Sequence, residues 1–190
     1  MRVANVPNAI TAVRIALAPV FLWLYVTGRT DHALAAFAVA AATDALDGLA
    51  ARLLHQHSAL GAYLDAAADK LLMACALVAL AWRGQLPWWL PALVVSRDGL
   101  LSVGAAFLAA TGHPMEVSPT RLGKYATAML AGTVVLALLA EFGGVARGRA
   151  APWVAALGLL AGLLVVVSAA QYAYYFVRGM RSDRRSPGPG

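Results

Sequence analysis

Asp44, Asp47, Asp65 and Asp69 fall within or beside two apolar stretches of a 190-residue chain. There, each ionised carboxylate carries an insertion cost of roughly 2.5 to 3.5 kcal/mol. A cost of that size needs a compensating partner. Spacings of three and four residues put Asp44 with Asp47, and Asp65 with Asp69, on one face of a helix each. The polar turn around His55, Gln56, His57 and Ser58 predicts that the two helices are antiparallel neighbours. Asp47 then stands level with Asp65 and Asp44 with Asp69, all about 7 to 20 Å inside the helix ends.

Four carboxylates converging in low dielectric repel one another unless cations neutralise them. Two divalent ions balance four such charges. An all-oxygen ligand set favours Mg2+ or Mn2+, and no Cys or His pair on these faces points to zinc. The competing structural account is a set of ion pairs with Arg52, Lys70 or Arg97, which leaves the matched spacing unexplained. Gly48 and Gly61 sit beside the acids and, lacking side chains, admit a flat group or a second backbone close to the site. Arg52 offers a fork of donors for phosphate oxygens, or else carries its charge to the membrane interface.

The elements that must hold these residues follow from composition. Hydrophobic residues make up 61% of the chain and charged residues 13%, against about 25% charged in soluble proteins, and mean hydropathy is +0.70. A bilayer core about 30 Å thick takes roughly 20 apolar residues per helix. The expected fold is all-α and polytopic, with about six transmembrane helices near residues 8–28, 32–54, 60–82, 88–111, 121–142 and 152–178. The first is read as an uncleaved span because its apolar run continues beyond Ala18 to Val26. Residues 1–180 form one membrane domain, and the Pro/Gly-rich end, 181–190, is expected to be a disordered tail. Cys75, alone in an apolar run, reads as packing.

The formal charge of +6 does not point to nucleic acid, because the bases flank apolar segments and do not form one face. Anionic lipid headgroups are the better partner. Arg2, Arg14, Arg52, Arg121, Lys124, Arg178, Arg181, Arg184 and Arg185 lie at or near one set of helix ends, against Arg29, Arg83, Arg147 and Arg149 at the other. That asymmetry places both termini in the cytoplasm. Trp88 and Trp89 suit the external interface, and Tyr172, Tyr174 and Tyr175 the internal one.

Taken together, Asp44-x2-Asp47-Gly48-x2-Ala51-Arg52-x8-Gly61-x3-Asp65-x3-Asp69 resembles the signature of the CDP-alcohol phosphotransferase family at every defined position. Val6-Pro7-Asn8 with Thr11 and Arg14 is similar to the family's amino-terminal stretch, and Gly123-Lys124 to a later basic element. Ala66 stands where many bacterial members have proline. The resemblance implies six transmembrane helices around a polar cavity open to the cytoplasm, a homodimer, and a site facing the cytoplasm at the cell (inner) membrane. It implies that the four aspartates ligate two metals and that Asp69 is also the base. Asp44, Gly48, Arg52 and Gly61 would receive the nucleotide of CDP-diacylglycerol, and CMP would leave.

Arg97, Arg121 and Lys124 form a second polar set, suited to an anionic alcohol acceptor. Glycerol 3-phosphate is the favoured acceptor; phosphatidylglycerol also fits, and Ser96-Arg97-Asp98 resembles the family members that use it. Arg97 could equally pair with Asp98. An ion or proton transporter would account for the acids alone, without Gly48, Ala51, Arg52 and Gly61 at these distances.

Overall fold

The computed structural model describes residues 6–54, 59–110, 121–142 and 147–183, and its side chains over 11–43, 61, 63–104, 121–141 and 148–174. These residues form six helices: α1 (Val6–Val26), α2 (Thr30–Leu54), α3 (Ala59–Trp82), α4 (Trp89–Ala110), α5 (Arg121–Phe142) and α6 (Arg147–Asp183). Their order and limits follow the sequence expectation, except that α6 starts earlier and runs later. No proline occurs between Arg178 and Asp183, and the helix continues through Gly179 into the stretch assigned to the tail; residues 184–190 lie outside the described part.

Helices α1 and α3 end in the same cap. Gly28, with φ of 84°, and Gly84, with φ of 72°, adopt the left-handed conformation that glycine enters without a Cβ penalty. The amide of Arg29 then donates to the carbonyl of Leu24 at 2.9 Å and that of Gln85 to Leu80 at 2.9 Å, closing the last helical turns. The chain can therefore reverse within a few residues of each apolar run.

Burial follows the seams between helices. On α1 the buried positions are Thr11, Arg14, Ala18, Phe21 and Tyr25, alternating three and four residues apart. On α6 Val154, Gly158, Ala161, Val165 and Ser168 repeat the pattern, and on α5 Gly123, Ala126, Leu130, Thr133 and Ala137 do so. Such spacing marks helices packed side by side at a shallow angle. The closest pairings are α1 with α2, α1 with α3, and α5 with α6; α4 bridges α3 and α6, and α5 touches α2 and α3.

One expectation changes. Among the described residues α2 and α3 make no direct helix contact, and both pack on α1 instead. The α1 stripe favours that packing: Ala18, Phe21 and Tyr25 bury apolar surface, and Arg14 supplies a charge partner for α3.

Among the described residues, two helices contain windows long and apolar enough to cross a membrane, Arg121–Glu141 and Gly148–Tyr174, with a shorter apolar helix at Thr11–Val26. The first half of α3 falls short because Asp65, Asp69 and Lys70 interrupt it.

Candidate active site

Arg14 is fully buried in the α1 stripe, eight residues past the start of the helix. Its Nη1 donates to Oδ1 of Asp65 at 2.7 Å and to Oδ1 of Asp69 at 2.9 Å. One nitrogen thus gathers two carboxylates from successive turns of α3. They belong to the face of α3 that continues through Ala68, Leu72, Cys75, Ala76 and Ala79, all buried. Relative exposure separates the partners: the arginine side chain is at 0%, whereas Asp65 is at 44% and Asp69 at 54%. The guanidinium closes the back of the pair and about half of each acid stays open at the front. A buried guanidinium demands such partners, since losing one side of a buried ion pair costs about 3 to 5 kcal/mol.

The depth of the acids agrees with their spacing. Asp65 and Asp69 lie about 9 and 15 Å along α3 from Ala59, and Asp47 and Asp44 about 10 and 15 Å along α2 from Leu54, at 1.5 Å per residue. Gly61, partly buried, lies one turn before Asp65 on the same face. Asp44, Asp47, Gly48 and Arg52 are on α2, and their side chains lie outside the described part, as do His55 and His57. The described residues alone hold no group of three or more potential metal-binding side chains. What they do hold suits a hard cation: two carboxylates drawn together by one donor, half open, and no sulfur or imidazole beside them.

The second polar set divides. Arg97 on α4 is 10% exposed, pairs with Asp98 at 2.9 Å, donates to Ser168 Oγ at 3.3 Å and lies 6.0 Å over the ring of Tyr172. It is thereby engaged with α6. Arg121 and Lys124 are exposed on the first turn of α5, and α4 makes no contact with α5 among the described residues. The structure therefore does not join Arg97 to the two α5 bases through a direct helix contact. Lys70, next to Asp69, donates to Ser102 Oγ on α4 at 3.0 Å.

Sequence reasoning used Arg14 as a marker of the cytoplasmic end and as part of a family-like stretch, and missed it as a partner of the acids. The signal was available: an arginine inside an apolar run requires a counter-charge, and Asp44, Asp47, Asp65 and Asp69 were the acids in want of one.

A family model described as CDP-alcohol phosphatidyltransferase matches residues 4–171. The cardiolipin synthase (CMP-forming) of Streptomyces coelicolor is 35% identical over 167 residues, covering 85% of this chain and 74% of the relative. The CDP-diacylglycerol–glycerol-3-phosphate 3-phosphatidyltransferase of Pseudomonas fluorescens is 39% identical over 139 residues, covering 70% and 71%. A probable phosphatidylglycerophosphate synthase of Mycobacterium tuberculosis is 40% identical over 103 residues, about half of each chain at 51% and 49%.

Proposed function

The chain belongs to the CDP-alcohol phosphatidyltransferase family, and we propose that it transfers a phosphatidyl group from CDP-diacylglycerol to glycerol 3-phosphate, releasing CMP in phospholipid synthesis. The observation that carries this reading is the pair of half-open carboxylates, Asp65 and Asp69, gathered by Arg14 within the eight-residue signature pattern. A transporter requires neither that pattern nor family membership, and is set aside.

Asp44, Asp47, Asp65 and Asp69 would hold two divalent ions, Mg2+ or Mn2+, which when bound neutralise the substrate diphosphate and the charge that develops on departing CMP. Asp69 takes the proton of the acceptor hydroxyl. The hydroxyl oxygen forms its bond to the lipid-linked phosphorus as the bond from that phosphorus to the bridging oxygen breaks, and the electron pair leaves with CMP. Gly48 and Gly61 leave space for the cytidine beside Asp44, and Arg52 binds phosphate. Arg121 and Lys124, exposed at the start of α5, attract the acceptor phosphate, with Arg97 contributing from α4.

The same reading makes the protein polytopic, with all six helices spanning the cell (inner) membrane and the acids facing the cytoplasm. In its support, the two most apolar windows are only 39% and 33% buried. Trp23, Leu100, Val103, Leu159 and Leu163 also present large apolar side chains outward. A soluble core helix buries such faces, whereas lipid or a second copy in a homodimer covers them here. Orientation rests on the positive charges. In a Cys75→Ala background, cysteines at Thr27 and Trp88 should react with an impermeant external reagent and one at Arg2 should not; the reverse pattern refutes the orientation.

A second acceptor reading, phosphatidylglycerol, is favoured by the Streptomyces relative, which matches 85% of this chain. Purified protein with CDP-diacylglycerol, Mn2+ and each acceptor in turn should release CMP with glycerol 3-phosphate. Release with phosphatidylglycerol alone selects the second reading, and release with neither removes both.

A further inference from the structure

We propose that Arg14 is a positioning residue for the metal-binding carboxylates: from α1 it fixes Asp65 and Asp69 in the orientation in which they meet the divalent ions. This rests on the reading of those acids as metal ligands.

Three observations carry it. The two Oδ1 atoms accept from the same nitrogen, Arg14 Nη1, so they cannot stand further apart than the two hydrogen bonds together. Without the shared donor, two like charges one helical turn apart repel and separate. Second, the bond comes from the buried side while about half of each acid remains exposed on the other, so the guanidinium restrains the carboxylates without covering them. Third, Arg14 is at 0% exposure in a stripe whose neighbours Thr11, Ala18 and Phe21 are buried too, so packing opposes its displacement when the front of the site fills. An arginine that merely occupied the cation position, and left when the cation arrived, would need a route through that packing.

The two roles differ in the sign of one measurable quantity. A competitor for the carboxylates weakens metal binding, and its removal strengthens it. A support for the carboxylates strengthens binding, and its loss weakens affinity by about 10- to 100-fold, the range found when the partners of metal ligands are removed. Buried arginine also stabilises the fold, so stability alone cannot identify the role.

The test is Mn2+ binding to the full-length protein in detergent without substrate, read from the electron paramagnetic resonance signal of free Mn2+, alongside a thermal melt in chelator. Arg14→Met should bind Mn2+ about 10- to 100-fold more weakly than the parent. Arg14→Lys, which keeps the charge on a shorter, unforked side chain, should fall between them and recover kcat at high Mn2+. Unchanged or tighter Mn2+ binding in a folded Arg14→Met protein overturns the proposal, even with a lowered melting temperature, because that pattern is a structural role alone. If Arg14→Met is not recovered folded, Arg14→Lys decides: weaker binding supports the inference and parental binding overturns it. Failure of the parent protein to bind Mn2+ would remove the metal reading itself, and that result is distinguishable from a parent that binds and variants that do not differ.

Discussion

Arg83, in the turn after α3, donates to Glu141 at the end of α5 at 2.8 Å and lies 5.5 Å over the ring of Tyr25 at the end of α1. The Glu141 carboxylate also accepts from the Tyr25 hydroxyl and, at 2.7 Å, from Gln85. Three helix ends are thus tied by one buried acid, whose side chain is 6% exposed, at the end of the bundle opposite Asp65 and Asp69.

Glu141→Ala should therefore destabilise the protein by about 2 to 4 kcal/mol, because Tyr25, Gln85 and Arg83 each lose an acceptor at once, Gln85 keeping only the Tyr25 hydroxyl at 3.0 Å. Arg83→Ala should cost less, since that side chain is 27% exposed and water replaces part of its role. Both belong in thermal melts with Mn2+ affinity measured in parallel. Mn2+ affinity should not change; if it falls along with stability, the two ends of the bundle are coupled and the knot is more than a fastening.

A second prediction concerns the α4–α6 seam. A Cβ at Gly162 would stand 2.6 Å from the Trp89 ring and 3.4 Å from Leu90, and one at Gly158 would stand 3.2 Å from Leu86. Gly162→Leu should destabilise by about 1 to 3 kcal/mol through overpacking. Trp89→Ala in the same chain should relieve most of that loss, a non-additivity expected of groups in contact. Gly132 on α5 has nothing within 4 Å, so Gly132→Ala should be neutral or stabilising by about 0.5 to 1 kcal/mol. Equal loss at Gly162 and Gly132 would show that contact with Trp89 is not the cause.

These two regions also show what the sequence could and could not convey. The four aspartates stood out because a carboxylate in an apolar run has a known cost and its spacing implies a face, and two of them, Asp65 and Asp69, are brought together by Arg14. The six helices were legible from the length of those runs. Packing partners were not: the antiparallel connection suggested that α2 and α3 touch, whereas among the described residues both pack on α1. Arg14, inside an apolar run, called for a counter-charge, but only the third dimension shows that Asp65 and Asp69 supply it. Glu141 lies at a helix end, where a charge is compatible with water, and only the fold shows that Tyr25 of α1 closes on it. Trp89 was read as an interfacial anchor; it is 44% exposed, and its ring also packs on Gly162, a partner that one-dimensional periodicity could not supply.

The acceptor bases divide into two kinds by their surroundings. Arg121→Ala and Lys124→Ala should raise the acceptor KM by about 10-fold each, the worth of a charge-assisted hydrogen bond, with little change in the KM for CDP-diacylglycerol or in melting temperature. Arg97→Ala should lower the melting temperature, because Asp98, 23% exposed, loses its partner. Equal loss for both substrates at Arg121 and Lys124 would argue against a separate acceptor subsite.

The last prediction separates ligand from base among four similar acids. Asp47→Asn keeps an oxygen donor but loses the charge that balances a cation, so its activity should fall at low Mn2+ and recover in part as Mn2+ rises. Asp69→Asn keeps the size and the hydrogen-bond acceptor facing Arg14 Nη1, which it meets at 2.9 Å in the parent, yet it cannot accept a proton from the acceptor hydroxyl. Its kcat should drop by about 10²- to 10⁴-fold at every Mn2+ concentration, while CDP-diacylglycerol still binds. Asp65→Asn shares the Arg14 contact at 2.7 Å without the role of base, so it controls for the disturbance of that ion pair. The measurement is kcat against Mn2+ for the three variants, with nucleotide binding recorded separately. If Asp69→Asn recovers with metal as fully as Asp47→Asn and Asp65→Asn, Asp69 is a ligand only, and the proton must leave the acceptor by another route.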